Sequence, residues 1–403
     1  MPKKQFWIRQ FNAVPRWNCR GGWRACVALL VLCLSIALVA VAQQSKDPTR
    51  ASGGAATQGV QKQAALATED GLAALASLEP IDSHVHVFQT GPAFVGMLKR
   101  LHMHVMDVLV VDDMVPYRAS MEPQKEDALK FVASSMGLAK LCSTFDPFKF
   151  NNANFAKEAV DGLNRDFEHG AVAVKIWKNV GMELKNASGQ YVLPDDPRLA
   201  PIYRNIAAHH KTLLAHLAEP DTAWGSEDSK APYAGYYRAN PQWDMSKRPG
   251  APQKRAIIDA RDHLLAMNPD LRVVGAHLGS MENDVDQVAA RLDRYPNFAV
   301  DTAARVPSLV IQPRDKVLAF ILKYQDRILY ATDLGFYSGR TDQAASREWE
   351  NHYAHDWRYF ATGDSFEYQG HQVEGLNLPR PVLKKLYHDN AVQWIPGIDT
   401  NPR

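Results

Sequence analysis

Between about residue 80 and residue 395, short apolar runs alternate with longer segments whose apolar residues recur at helical spacing. The runs predict strands at Ile81–Val87, Val105–Val111, Ala139–Thr144, Ala171–Trp177, Thr212–His216, Leu271–His277, Phe298–Thr302 and Arg327–Thr332. The segments between them predict helices near Pro92–Leu101, Gln124–Ser135, Ala153–Glu168, Pro197–His210, Gln253–Met267, Asn283–Tyr295 and Pro313–Tyr324. A last helix near Pro381–Val392 completes eight strand–helix pairs, which predicts an α/β fold of the (β/α)8 TIM-barrel type. An open, doubly wound sheet is the competing arrangement, but no glycine-rich phosphate turn follows the first strand.

The pattern is interrupted twice, by insertions after strands five and eight. Pro220–Pro252 contains Trp224, Tyr233, Tyr236, Tyr237 and Trp243; Leu334–Leu378 contains Phe336, Tyr337, Trp349, Tyr353, Trp357, Tyr359 and Phe360. Long connections at this end of a barrel are expected to form lids or substrate walls; the other reading is that about half of these aromatics simply pack the loops onto the barrel rim. The first 42 residues break the pattern differently. Residues 1–24 hold six basic residues and no acid, and Ala25–Ala42 is uncharged and apolar, ending in Ala40-Val41-Ala42. We read 1–42 as a signal peptide or a single-pass anchor, which predicts an exported, periplasmic or extracellular protein. Residues 43–78 read as a polar linker followed by a short helix at Ala64–Leu78, and 79–403 as one catalytic domain.

Composition changes this picture little. The net charge of +2 over 403 residues, with the basic excess in the leader, argues against a nucleic-acid partner. Three of the four cysteines, Cys19, Cys26 and Cys33, lie in the leader, so Cys142 alone can form neither an internal disulfide nor a cysteine-based zinc site.

The candidate chemistry sits where strands end. His84 and His86 are two apart on a predicted strand and therefore share a face. His216, His277 and Asp333 end strands five, six and eight. Imidazoles and a carboxylate gathered at the carboxyl ends of barrel strands suit a divalent metal, with zinc the first expectation. Other histidines provide a control: His102 and His104 fall at the opposite end of a strand, His209 and His210 end a helix, and His352 and His355 lie in an insertion.

The segments Ile81-Asp82-Ser83-His84-Val85-His86, Leu214-Ala215-His216, Val274-Gly275-Ala276-His277-Leu278-Gly279, Ala331-Thr332-Asp333 and Tyr387-His388-Asp389-Asn390-Ala391 together resemble the amidohydrolase superfamily. The resemblance is to its amidohydrolase-related branch, which also contains metal-dependent decarboxylases. It implies that His84, His86 and His216 ligate metal. It also implies that Asp333 touches the metal and takes a proton from its bound water. His277 would orient or protonate the reacting group, or ligate a second metal. In part of the superfamily a lysine ending strand four is carboxylated and bridges two metals, and Lys175 stands on that strand; pairing with Asp333 or with an anionic substrate, and a solvated rim position, are its other readings.

Lys178 and Arg305 are candidate substrate contacts, Arg305 being equally able to pair with Asp301, and Glu219 is placed to fix a ligand's tautomer. The expected function is metal-dependent hydrolysis of an ester, lactone or amide of a small molecule. Non-oxidative decarboxylation of an aromatic or unsaturated acid is the alternative, and an inactive envelope binding protein is a third reading. Apolar outer helices such as Val317–Leu322 permit a homo-oligomer.

Overall fold

The structure, a computed structural model, describes residues 69–111, 121–225, 233–337, 339–368 and 370–399. The leader and linker expectations lie outside these residues, except for the end of the expected helix, of which 69–78 are described and 69–76 are helical. The chain divides into two units, Met1–Asp70 and Gly71–Arg403. Among the described residues no helix is long and apolar enough to cross a membrane.

The second unit alternates strands and helices: β1 Ile81–Val87, α1 Pro92–Arg100, β2 His104–Val108, α2 Met121–Ser134, β3 Ala139–Thr144, α3 Phe155–Glu168, β4 Ala173–Ile176, α4 Ala200–Ala208, β5 Thr212–Ala215, α5 Lys254–Met267, β6 Arg272–Gly275, α6 Val285–Arg294, β7 Phe298–Asp301, α7 Arg314–Lys323 and β8 Ile328–Leu329. Strands one to eight pair in sequence order, all parallel, and β9 (Gly335–Phe336) pairs with the far side of β1. Ser83 N–H donates to Tyr330 O at 3.1 Å, Asp333 N–H to His84 O at 2.8 Å, and His86 N–H to Leu334 O at 2.9 Å. These bonds join the two ends of the curled sheet, giving an α/β architecture consistent with a TIM-barrel-like fold.

Period-two alternation decides which side chains face inward. Ile81, Met106, Cys142, Ala173, Leu214, Val274, Ala299 and Leu329, one from each of the eight strands, pack into a single buried cluster. Their neighbours Val105, Val174, Leu213, Val273, Val300 and Ile328 belong to the other core, shared with the helices. Lys175, two residues past Ala173, and Asp301, two past Ala299, are therefore carried inward by the same register that packs the cluster. Burial also pushes the Cys142 thiol well up. A thiol held protonated is a poor nucleophile, so iodoacetamide should leave Cys142 unmodified in the folded protein and modify it after denaturation, as read by peptide mass spectrometry.

Two expectations are corrected. The segment from Arg380 to Trp394, helical with a π-turn at Lys385–Asp389, is not an outer helix. Tyr330 N–H donates to Leu386 O and Asn390 Nδ2 to Ile328 O, while Ala391, Trp394, Ile395 and Ile398 join the strand-derived inner cluster. The segment thus closes the barrel at the end opposite the strand termini. The eighth outer helix comes from the insertion after strand eight: α8 (Asp342–Ala361) packs on α1, with the Trp349 indole edge-on to Phe94 at 4.7 Å. Trp349, Tyr353, Tyr359 and Phe360 are buried in the core, so these aromatics hold the helix down and form no lid. A hairpin of β10 (Ser365–Tyr368) and β11 (His371–Glu374) follows. Among its described residues, the insertion after strand five has short turns and one short helix, Ala234–Ala239.

Candidate metal centre

The carboxyl ends of β5 to β8 are strained in a common way. Ala218, His277, Leu278, Ser280, Ala304 and Asp333 all have positive φ without being glycine. Such conformations cost of order 1–3 kcal/mol each and persist where the surroundings dictate them, characteristically at functional sites. At His277 (φ 60°) the strain has a visible consequence. Val274 and Ala276 both face the inner cluster, so continued alternation would turn His277 outward; the left-handed turn lets it join the other ligand-type residues. Gly275 permits this turn, since a Cβ there would meet the Phe298 ring at 2.6 Å and Gly279 Cα at 2.9 Å.

The structure brings the five ligand-type residues together. His84, His277 and Asp333 each offer an atom within 4.8 Å of the others. His86 Nε2 lies 3.0 Å from Asp333 Oδ1, and the His216 and His277 ring centroids are 4.2 Å apart. Each of three rings has its Nδ1 committed. His84 Nδ1–H donates to Asp301 Oδ2 at 3.1 Å, His86 Nδ1–H to Val108 O at 2.7 Å, and His277 Nδ1–H to Ala303 O at 2.8 Å. These bonds leave three Nε2 lone pairs, the arrangement in which a carboxylate or carbonyl fixes the tautomer of a metal-binding histidine. Burial, with neighbouring positive charge, pushes His84, His216 and His277 well below the usual histidine range, so they are neutral and able to ligate.

Two features test the fit of a cation on the residues themselves. His216 Nε2 is buried and has no hydrogen-bond partner. His86 Nε2, with Nδ1 already donating, faces a carboxylate oxygen: either it carries a second proton or it shares a cation with Asp333. Burial works to raise the Asp333 carboxyl but is outweighed by the His86 contact and by nearby positive charge, which hold it below the usual carboxylate range. A nitrogen-rich set with one ionised carboxylate fits a divalent transition metal.

Lys175 Nζ lies 2.9 Å from His84 Nε2, and burial pulls its pKa down to about 8. Asp301 was legible only as a strand-end acid; it accepts from His84 Nδ1, from His277 N–H at 2.7 Å and from Ala303 N–H at 3.1 Å. Those bonds occupy it, and the Asp301–Arg305 pair does not form. Lys178 is buried, ion-paired with Glu219, donating to Tyr236 Oη at 3.1 Å and lying 4.2 Å from the Trp243 ring centroid. Glu219 also accepts from Tyr237 Oη at 2.8 Å and stays 3.7 Å from His216 Nε2, too far to set its tautomer by a hydrogen bond. The role of Tyr233, whose ring stacks on Arg305, had no signal in the sequence beyond its membership of an aromatic insertion.

A family model described as amidohydrolase matches residues 81–396. No curated protein matches the chain. Similar solved structures include a 2,6-dihydroxybenzoate decarboxylase from Rhizobium, at 14% identity and TM-score 0.44, covering 78% of this chain and 98% of that one. A dihydroxybenzoic acid decarboxylase from Polaromonas sp., with bound manganese and 2-nitroresorcinol, matches at 12% identity and TM-score 0.48, covering 78% and 96%. A 4-oxalomesaconate hydratase from Rhodopseudomonas palustris matches at 11% identity and TM-score 0.44, covering 79% and 96%.

Proposed function

The chain belongs to the amidohydrolase family, and on that premise we propose that it is a metal-dependent hydrolase cleaving an ester, lactone or amide bond of a small molecule. The observation that carries the proposal is Lys175, 2.9 Å from His84 Nε2 with its pKa drawn down to about 8. Close to neutral pH part of its population is a free amine. That amine can add to carbon dioxide, forming an N–C bond and releasing a proton to solvent, and the carbamate so made is an oxygen ligand beside the imidazoles.

His84, His86, His216, His277 and Asp333 would hold the metal, zinc being the first expectation, with carboxylated Lys175 shared between two ions. A bound divalent metal supplies Lewis acidity toward the substrate carbonyl and lowers the pKa of water. Asp333, ionised and facing both His84 and His86 through Oδ1, takes the proton of the attacking water and passes it to the leaving group. His277 is neutral with Nδ1–H tied to Ala303 O, so its Nε2 accepts and does not donate, which suits a ligand better than a general acid.

Decarboxylation of an aromatic or unsaturated acid is the second reading, favoured by the buried cation Arg305 near the histidines. Product analysis separates the two. Incubation with panels of lactones, aryl esters and amides should yield acid and alcohol or amine without release of carbon dioxide. Carbon dioxide evolved from hydroxybenzoates, with every ester and lactone left intact, would reject hydrolysis.

A further inference from the structure

Arg305 lies beside the histidine cluster with fewer partners than donors. It follows β7 after Ala304, which is left-handed with φ 53°. Its side chain is buried, and Nη1 donates to Ala304 O at 3.1 Å. Its guanidinium carbon sits 4.8 Å from the Tyr233 ring centroid. Tyr233 is pinned in turn, its hydroxyl meeting Ser308 Oγ at 2.7 Å and donating to Ala304 O at 3.2 Å. The plane of the guanidinium is therefore fixed before any ligand arrives.

One donor in that plane is unsatisfied. Arg305 Nε has no hydrogen-bond partner, and the nearest carboxylate oxygen, Glu282 Oε2 at 3.9 Å, has none either. Two buried opposite charges at that separation attract each other without satisfying their donors and acceptors. The chain just before Arg305 is tied to the site, since His277 Nδ1–H donates to Ala303 O at 2.8 Å, two residues upstream. The neighbouring Lys254 is a second cation on the same acid, its Nζ 3.7 Å from Glu282 Oε1 and 2.8 Å from Asp221 Oδ1. Two parallel N–H donors of a guanidinium suit a carboxylate.

We propose that Arg305 is the subsite for a carboxylate on the substrate, remote from the bond that reacts, and that Glu282 gives up the guanidinium when this group enters. The enzyme then selects small molecules bearing such a carboxylate in addition to the ester, lactone or amide. This deepens the proposed function and rests on the histidine cluster being the reacting centre.

The test uses succinate, glutarate and adipate, each against its monoamide, titrated calorimetrically into the metal-loaded protein. Both members of a pair offer one carboxylate to the metal, so their difference reads the second. The best-fitting diacid should bind about 30-fold tighter than its monoamide, the worth of a charge-assisted pair of hydrogen bonds. In Arg305→Gln that difference should fall below about threefold. Glu282→Gln removes the competing acid and should tighten diacid binding several-fold; it carries the test if Arg305→Gln does not fold. No diacid preference in the wild type, a preference that survives Arg305→Gln, or unchanged or weaker binding in Glu282→Gln would overturn the proposal. Turnover is not measured, so a protein that shows the preference yet cleaves no ester, lactone or amide keeps this subsite and loses the hydrolase reading.

Discussion

Asp333→Asn is expected to lower kcat by about a thousandfold at saturating metal, the scale of a lost general base, with far less change in KM. Asparagine is the replacement that isolates chemistry from folding. Asp333 has φ 65°, and asparagine tolerates the left-handed region where alanine would add strain. Its N–H bond to His84 O, which helps join β1 to the segment after β8, is a main-chain contact and survives the change. What disappears is the ionised carboxylate between His84 and His86. Assays must be run with excess metal, because losing one negative charge also weakens metal binding. Steady-state kinetics within threefold of wild type would remove Asp333 from the chemistry.

Asp301→Asn is expected to weaken metal binding by about 10- to 100-fold while leaving the fold in place. The asparagine oxygen can still accept from His277 N–H and Ala303 N–H. Its amide nitrogen then faces His84 Nδ1–H, a donor against a donor. The imidazole relieves the clash by moving its proton to Nε2, the nitrogen needed for the metal. Competition with a fluorescent chelator measures the affinity, and thermal unfolding of the metal-free variant shows whether the core is intact. Equal loss of metal affinity and of metal-free stability would reduce Asp301 to a packing residue. Wild-type affinity would mean that His84 does not bind metal through Nε2.

The strands and the ligand set were legible because both follow period-two geometry. His84 and His86 share a face for the same reason that Val85 and Val87 share the other, and the inner cluster recruits one side chain from each strand. What periodicity hides is what the backbone does where it stops. Nothing in Ala276-His277-Leu278 announces two consecutive left-handed residues, yet without them His277 would face away from His84. Local pattern also misassigned the eighth helix. Pro381–Val392 and Asp342–Ala361 both have helical spacing, and only tertiary packing on α1 decides that the second joins the outer ring while the first plugs the barrel. Asp301 illustrates a third limit: the proximity of Arg305 in sequence suggested a pair, whereas the acid serves residues on β1 and β6 that lie close only in the fold.

The central claim is a metal-bearing hydrolytic centre completed by Lys175. Its most direct test is metal content per chain by plasma mass spectrometry, on protein purified without chelators, paired with native mass spectrometry of the same sample. The account predicts about two divalent ions per chain, as in two-metal hydrolytic sites, and one carboxyl group added at Lys175. A chain that retains no divalent metal even when supplied with it would contradict the account. One ion beside an unmodified lysine would contradict its hydrolytic part and leave decarboxylation as the reading to pursue.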